Sequence, residues 1–328
     1  MMKAAVYDRY GPADVLRVES IEKPEPKDGE LLVEVHASAV TTADWRIRAS
    51  AFPGYAWLPG RLMFGVFAPR NKVLGTDFAG KVAAVGTGVS DFGVGDEIFG
   101  FSGKGGHAEF LTVSANGAVA RKPAILDFGE AAAVPFGAMA ALVFLRDFAK
   151  VQPGQKVLIN GASGGVGVFA VQLAKHFGAQ VTGVCSSGNK KLVKSLGARD
   201  VIDYTRQDFA QSGRQWDVVL DTVGKTSFSQ CRTALTPEGR YVPLEFGFRE
   251  FIQALATSAS KGQRVLVGVS GDKKADLEFI ASLLQSGELK PVIDKRYPLR
   301  KIADAHRRVE SRHKTGSVVI TVAPGRPS

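Results

Sequence analysis

The stretch "LINGASGGVG", residues 158–167, governs the reading of the whole chain. Two aliphatic residues and Asn160 run into "GASGGVG", a loop with four glycines in seven positions. Strand-like "KVLIN" (156–160) leads in. In the helical stretch that follows, Val166, Phe169, Ala170, Leu173, Ala174 and Phe177 recur at intervals of three and four. That spacing packs one helix face on a sheet. A strand, a glycine loop and a helix in this order are the setting of a dinucleotide fingerprint. The strict Gly-x-Gly-x-x-Gly becomes Ala162-x-Gly164-x-x-Gly167, with Gly161 before it. Gly164 lets backbone approach a pyrophosphate without an intervening Cβ, and Gly167 lets the helix lie close to the strand. Ser163, Gly165 and Val166 complete a loop whose N–H groups, at the positive end of the helix, suit a pyrophosphate.

Further from the loop, the middle of the chain alternates strands and helices. "QVTGVC" (180–185), "DVIDY" (200–204), "DVVLDTV" (217–223), "GRYVPL" (239–244) and "RVLVGV" (264–269) are short apolar runs divided by helical stretches. Such runs make βαβ units and a parallel, doubly wound sheet. "FGEAAAVPFGAMAALVFLRDFA" (128–149) reads as an Ala-rich helix. Residues 1–125 are different: "LLVEVHASAV" (31–40) partly alternates as a half-buried strand does, and 80–100 are short apolar pieces cut by Gly, Asp and Ser, as in a small barrel. After residue 272 come one more helix, a closing strand "GSVVITV" (316–322) and a loose tail, "APGRPS".

Composition narrows the class. The 328 residues suffice for two domains, and 45% hydrophobic with 23% charged residues is ordinary for a soluble globular protein. Two isolated cysteines, Cys185 and Cys231, argue against a disulfide framework and for a reducing, cytoplasmic setting. No segment approaches the roughly 18 apolar residues of a membrane span. The net charge of +10 is spread without a run of five cations, which argues against nucleic acid and suits an anionic small ligand.

Cofactor choice is made about 20 residues beyond the glycine loop, where NAD sites carry an acid for the ribose 2′-OH. Here "VCSSGNKKL" offers Ser186, Ser187, Lys190 and Lys191 and no carboxylate. Hydroxyls and ammonium groups suit a 2′-phosphate, so NADPH is expected in preference to NADH.

Nearly the whole chain resembles the medium-chain dehydrogenase/reductase superfamily, in its zinc-independent quinone oxidoreductase (zeta-crystallin-like) branch. The resemblance rests on the N-terminal "MKAAVYDRYGPADVLRVESIEKPEPKDGELLVEVHASAV", "LGTDFAGKVAAVG", "VGDEIFG", "GGHAEF", "AAAVPFGAMAAL", "VLINGASGGVGVFAVQLAKHFGA", "SLGARDVIDY" and "GSVVITV". It implies an α/β fold: a GroES-like β-barrel catalytic domain, 1–125 completed by 273–328, and a Rossmann domain, 126–272, with the active site in the cleft between them. Zinc-dependent members carry "GHE" where this chain has Gly75-Thr76-Asp77, and a ligand Cys near Val40, so no metal is expected. The implied activity is hydride transfer from NADPH to a quinone or an α,β-unsaturated carbonyl, by a homodimer. An enoyl-thioester reductase and a non-catalytic NADPH-binding scaffold are the competing readings.

The resemblance also implies roles for single residues. Thr41 stands where relatives often have Asn and is expected to contact substrate or nicotinamide. Asp44 is expected to act as a turn or cap acceptor. His107, in "GGHAEF", is a candidate proton donor against a structural role. Tyr204 is set beside the 2′-phosphate, with a core tyrosine as the alternative. Thr222 and Val223 follow a strand end, and Val267 and Val269 lie in the stretch that contacts the nicotinamide carboxamide. The aromatic segment 51–72, with Phe52, Tyr55, Trp57, Phe64 and Phe67, reads as a substrate lid, or as a dimer or surface-packing loop.

Overall fold

The computed structural model describes residues 1–52 and 56–322; Tyr55 and the tail "APGRPS" lie outside the described residues. Contacts divide the chain into two units. One holds Met1–Phe52, Ala56–Met139 and the chain from Asp272 onward, and the other is built on Ala140–Gly271.

The first unit opens with β1 (Met2–Val6), antiparallel to β2 (Arg17–Ile21). Then come β3 (Glu30–Val40), α1 (Thr42–Ala49), α2 (Trp57–Phe64), β4 (Asp77–Val85), β5 (Glu97–Phe101), β6 (Phe110–Ser114) and β7 (Val119–Arg121). β3 pairs with both β4 and β6, and its register shifts between Leu32 and Val33 and between Val35 and Ala37. Strand β3 is therefore buried along nearly its whole length rather than alternately, because sheet neighbours flank it on both edges and core covers its faces. Leu31, Val33, Val35, Phe78, Ile98 and Val119 are fully buried in this core. Each contributes about 1.5–3 kcal/mol by leaving water. The run 128–149 is not one helix. It breaks into α3 (Phe128–Ala132), capped by Asp127, α4 (Pro135–Val143) and a π-helical turn, Phe144–Phe148. α3 lies on β3 and β4, so it packs with the first unit.

The second unit holds β8 (Lys156–Asn160), α5 (Gly167–His176), β9 (Gln180–Cys185), α6 (Lys190–Ser195), β10 (Asp200–Asp203), β11 (Trp216–Asp221), α7 (Phe228–Cys231), β12 (Leu235–Pro243), α8 (Phe248–Thr257) and β13 (Arg264–Val265). Every pairing is parallel and the order is β10-β9-β8-β11-β12-β13. That is the doubly wound dinucleotide-binding order, with its topological switch between β8 and β11. α5 buries Val168, Phe169, Ala170, Leu173 and Ala174, as its spacing requires. The final strand stops at Val265 instead of continuing to Val269; beyond it Leu266 N–H still reaches the neighbouring strand, donating to Tyr241 O.

The chain then returns to the first unit as α9 (Lys274–Gln285), β14 (Ile293–Pro298), α10 (Ile302–Glu310) and β15 (Ser317–Thr321). β15 pairs antiparallel with β3 and parallel with β14, so residues far apart in sequence complete one seven-stranded sheet.

Candidate functional site

The glycine turn leaves β8 at the switch point, where α/β sheets bind ligands. Gly161 has φ +81°, and a Cβ there would strike Val223 and Thr222. A Cβ on Gly167 would collide with the Gly161 carbonyl oxygen. Gly164 N–H donates to Gly161 O at 2.9 Å, while the space around its own Cα is open apart from that oxygen. Ala162 is fully buried, donating to Val184 O at 2.9 Å, so it packs the turn onto β9. Among the described residues the N–H groups of Ser163, Gly165 and Val166 have no acceptor within the protein. The N-cap of α5, Val166, supplies no side-chain cap, and the first turn carries no acid. An anion is the natural occupant of such a terminus.

Asp221 ends β11 beside this turn and is fully buried. Its Oδ1 accepts from Asn160 Nδ2 at 3.0 Å, Val223 N at 3.0 Å and Gly224 N at 3.1 Å. Its Oδ2 accepts from Thr226 Oγ1 at 2.7 Å and Thr226 N at 3.3 Å, and Tyr241 Oη, 3.3 Å from it, donates to Thr226 O at 2.9 Å. The Thr222 hydroxyl donates to Asn160 O at 2.8 Å. One carboxylate thus ties the ends of β8 and β11 to the 222–226 turn. Burial, with the Asp221 charge as a second cause, holds the Tyr241 phenol protonated well above its usual range.

At the end of β9, Ser186 is half-buried, Ser187 exposed, Lys190 half-buried and Lys191 exposed. Asn189 Nδ2 donates to Ser163 Oγ at 3.1 Å, linking this corner to the glycine turn. Here the sequence reading needs correction, because a carboxylate is present. Asp203, at the end of β10, accepts from the Ser187 hydroxyl, from Thr205 Oγ1 at 2.7 Å and from Thr205 N at 3.0 Å. The Ser187 hydrogen bond, with those of Thr205, holds its pKa below the usual carboxylate range, and the Lys190 charge adds to the effect. Arg206 Nε lies 3.9 Å from Asp203 Oδ2. Tyr204 is 60% exposed beside this corner, which removes the core-tyrosine alternative. Val267 and Val269 follow β13, three strands from β8 in the sheet, and Val269 is 80% exposed.

The polar residues of the first unit behave otherwise. Thr41 is the N-cap of α1 in a capping box with Asp44. Its hydroxyl donates to Asp44 Oδ2 at 2.7 Å and accepts from Asp44 N at 3.2 Å. Asp44, fully buried, also accepts from Gly75 N at 3.0 Å. The structure gives Thr41 a structural role: at 7% exposure its hydroxyl is bonded within the cap. His107 is likewise sealed at 0% exposure. Ser38 Oγ donates to Asp77 O at 2.7 Å, so His107 Nδ1–H, 3.0 Å away, must be the donor to Ser38. Burial pulls the His107 pKa down, which favours the neutral ring, and its Nδ1–H is given to Ser38. Edge-on to it at 5.7 Å lies His306, also fully buried, whose pKa burial pushes well below the usual value.

The donor set near Asp77 does not fit a catalytic zinc. Val40 and Thr76 supply no soft or imidazole ligand, Asp44 is spent on its cap, and Asp77 Oδ2 accepts from Phe136 N at 3.0 Å. Burial raises the Asp77 carboxyl well above its usual range, toward the neutral acid. Among the described residues no three His, Cys, Asp or Glu side chains gather as a ligand set.

Sequence reasoning missed Asp221, Asp203, Arg206 and His306. Two had a signal: an acid ending the apolar run "VVLD" is out of place unless it has partners. His306 shares the stripe Ile302, Ala305, Val309, all buried on one face of α10. The Ser187–Asp203 contact had none, since it joins different strands.

Residues 27–124 match the alcohol dehydrogenase GroES-like domain family and residues 196–320 the zinc-binding dehydrogenase family. A chloroplast envelope quinone oxidoreductase homolog of Arabidopsis thaliana is 32% identical over 98% of each chain. An NADPH-dependent alkenal/one oxidoreductase of the same plant is 32% identical over 98% of this chain and 80% of that one. The solved structure of the quinone oxidoreductase from Coxiella burnetii superposes with a TM-score of 0.86 at 28% identity, over 98% of this chain and 99% of that one.

Proposed function

The chain belongs to the medium-chain dehydrogenase/reductase superfamily, in its quinone oxidoreductase branch, and we propose that it transfers hydride from NADPH to a quinone or an α,β-unsaturated carbonyl without zinc. The observation that carries this reading is the turn of unpaired N–H groups at Ser163, Gly165 and Val166, set at the switch point of a doubly wound sheet. Those groups and Gly164 hold the pyrophosphate. Asp221 keeps Val223 and Gly224 in place beside them. Lys190 and Arg206 balance Asp203 and leave net positive charge for a 2′-phosphate, with Ser186 as a hydroxyl donor and Tyr204 as a flat neighbour. Bound NADPH supplies the hydride. An acceptor already polarised by conjugation needs no Lewis acid, so the residues' task is to orient the reactants and exclude water. The acceptor class rests on the names of the two plant relatives.

A cytoplasmic homodimer completes the proposal, supported by the two buried free thiols and by the family resemblance. Among the described residues no helix is long and apolar enough to cross a membrane. The decisive experiment follows NADPH and NADH oxidation against quinones, enones, alkenals and enoyl thioesters, with and without chelator. Faster turnover with NADPH on quinones or enones, untouched by chelator, is expected. Loss on chelation removes the zinc-free mechanism, and faster turnover with NADH removes the phosphate site.

A further inference from the structure

The segment after α1, to which the reaction above assigns no residue, presents the most concentrated apolar surface of the first unit. Trp57 is 49% exposed, Leu58 60%, Leu62 55%, Met63 67% and Phe67 94%. These side chains are not on a loose loop. Gly60 seats α2 against the Phe52 ring, where a Cβ would not fit, and Phe52 stacks on Phe64 at 5.5 Å. Tyr10 Oη donates to Gly65 O at 2.8 Å, and the Arg61 guanidinium lies 4.2 Å over the Tyr10 ring. The helix is anchored from beneath while its aromatic and aliphatic side chains face water, an arrangement that marks an interaction surface.

Charge says which kind. Residues 45–76 contain Arg46, Arg48, Arg61, Arg70 and Lys72 and no Asp or Glu. Arg48 is buried against Glu310. Exposed Lys72 pairs at 3.0 Å with Asp8, which Arg17 also holds. Neither Arg61 nor Arg70 has a carboxylate partner among the described residues. The other exposed apolar stripe, Phe248, Phe251, Ile252 and Leu255 on α8, has Glu245 and Glu250 close by in sequence and lacks this one-signed character. Two copies meeting through the α2 surface would set Arg61 and Arg70 against their own equivalents, an unfavourable pairing. Exposed Trp and Phe with Leu and Met, edged by arginine and by no acid from residues 45–76, are instead the chemistry that enters the headgroup region of an anionic bilayer.

We propose that the surface of Trp57, Leu58, Leu62, Met63 and Phe67, with Arg61 and Arg70, docks the protein on anionic lipid membranes, independently of hydride transfer. The test is sedimentation of the full chain with vesicles of phosphatidylcholine containing about one-third phosphatidylglycerol, against vesicles of phosphatidylcholine alone. Binding to the anionic vesicles at low salt is expected, weaker by about tenfold on neutral vesicles or at about 0.5 M salt. Phe67→Asp and Arg70→Glu should each lower partitioning by about tenfold, since one basic residue near such a surface is worth about fivefold. Turnover on a water-soluble acceptor should be unchanged. Equal binding to both vesicles, or full binding by Phe67→Asp, overturns the proposal. So does loss of turnover in that variant, which would make the segment a substrate lid. Conversion of a dimer to a monomer by Phe67→Asp, without lipid binding by the parent, would assign the surface to self-association and overturn it equally.

Discussion

The glycine turn of the second unit and the Thr41–Asp44–His107 cluster of the first are both dense in polar groups beside tightly placed glycines, but they do opposite things with them. In the turn, three backbone N–H groups are left unpaired and open space lies beside Gly164. In the cluster, Thr41 and Asp44 are buried and spend their polar atoms on one another, Thr76 and Gly75, and His107 spends Nδ1 on Ser38 while its Nε2 is buried without a partner among the described residues. A polar group left over at an uncapped helix terminus invites a ligand, whereas one satisfied inside the protein holds the fold together. Residue type alone does not separate the two cases.

Removing Asp221 should break the contrast most severely. Asp221→Ala takes the acceptor from the Asn160 amide and the Thr226 hydroxyl and should cost about 3–5 kcal/mol by urea unfolding. NADPH affinity, by fluorescence titration, should fall with it. If stability fell while affinity held, the 222–226 turn would have no part in the cofactor site. Lys190→Glu is next. It should weaken NADPH binding about 10- to 100-fold and NADH binding by less than about threefold, because only one cofactor carries the 2′-phosphate. Equal losses would return Lys190 to plain surface.

The cluster makes predictions about stability rather than turnover. His306 is neutral and buried in the folded chain, with His107 and Arg48 as its charged or chargeable neighbours. Above pH about 6.5 it is neutral in both states, and below that only the unfolded chain takes up the proton. Stability should therefore fall on acidification, this histidine contributing about 1.4 kcal/mol per pH unit below 6.5. Asp77, with its raised pKa, opposes the trend, so the clean measure is the difference in pH slope between the parent and His306→Phe. Parallel slopes would mean that His306 is solvated. Thr41→Ala is the mildest change: loss of the N-cap should cost about 1 kcal/mol, with kcat/KM for the acceptor within about twofold. A large fall in kcat at unchanged stability would restore Thr41 to the reaction.

Legibility in the sequence followed the range of each interaction. The glycine turn and the stripe of α5 were readable because their physics is contained within about 20 residues. Asp44 as a cap acceptor was readable for the same reason, and the cap role of its partner Thr41 is written in a local Thr-x-x-Asp signature. The partial alternation of 31–40 suggests a half-buried strand, because nothing local announces that β4, β6 and β15 surround β3. "RVLVGV" was read to its end as strand, although Gly268 lies against the Phe148 ring, a contact across more than a hundred residues.

By itself, then, the sequence determined the α/β class, the glycine turn between β8 and α5 and the absence of the usual acid at the end of β9, all matters of local spacing and backbone freedom. Only the tertiary structure decided which polar residues stay available. Asp203 reaches Ser187 because parallel β10 lies beside β9 and their ends align; His107 and His306 are sealed because α10 and the loop before β6 meet in one core. Availability depends on what packs against a side chain, and packing is set by elements distant in sequence.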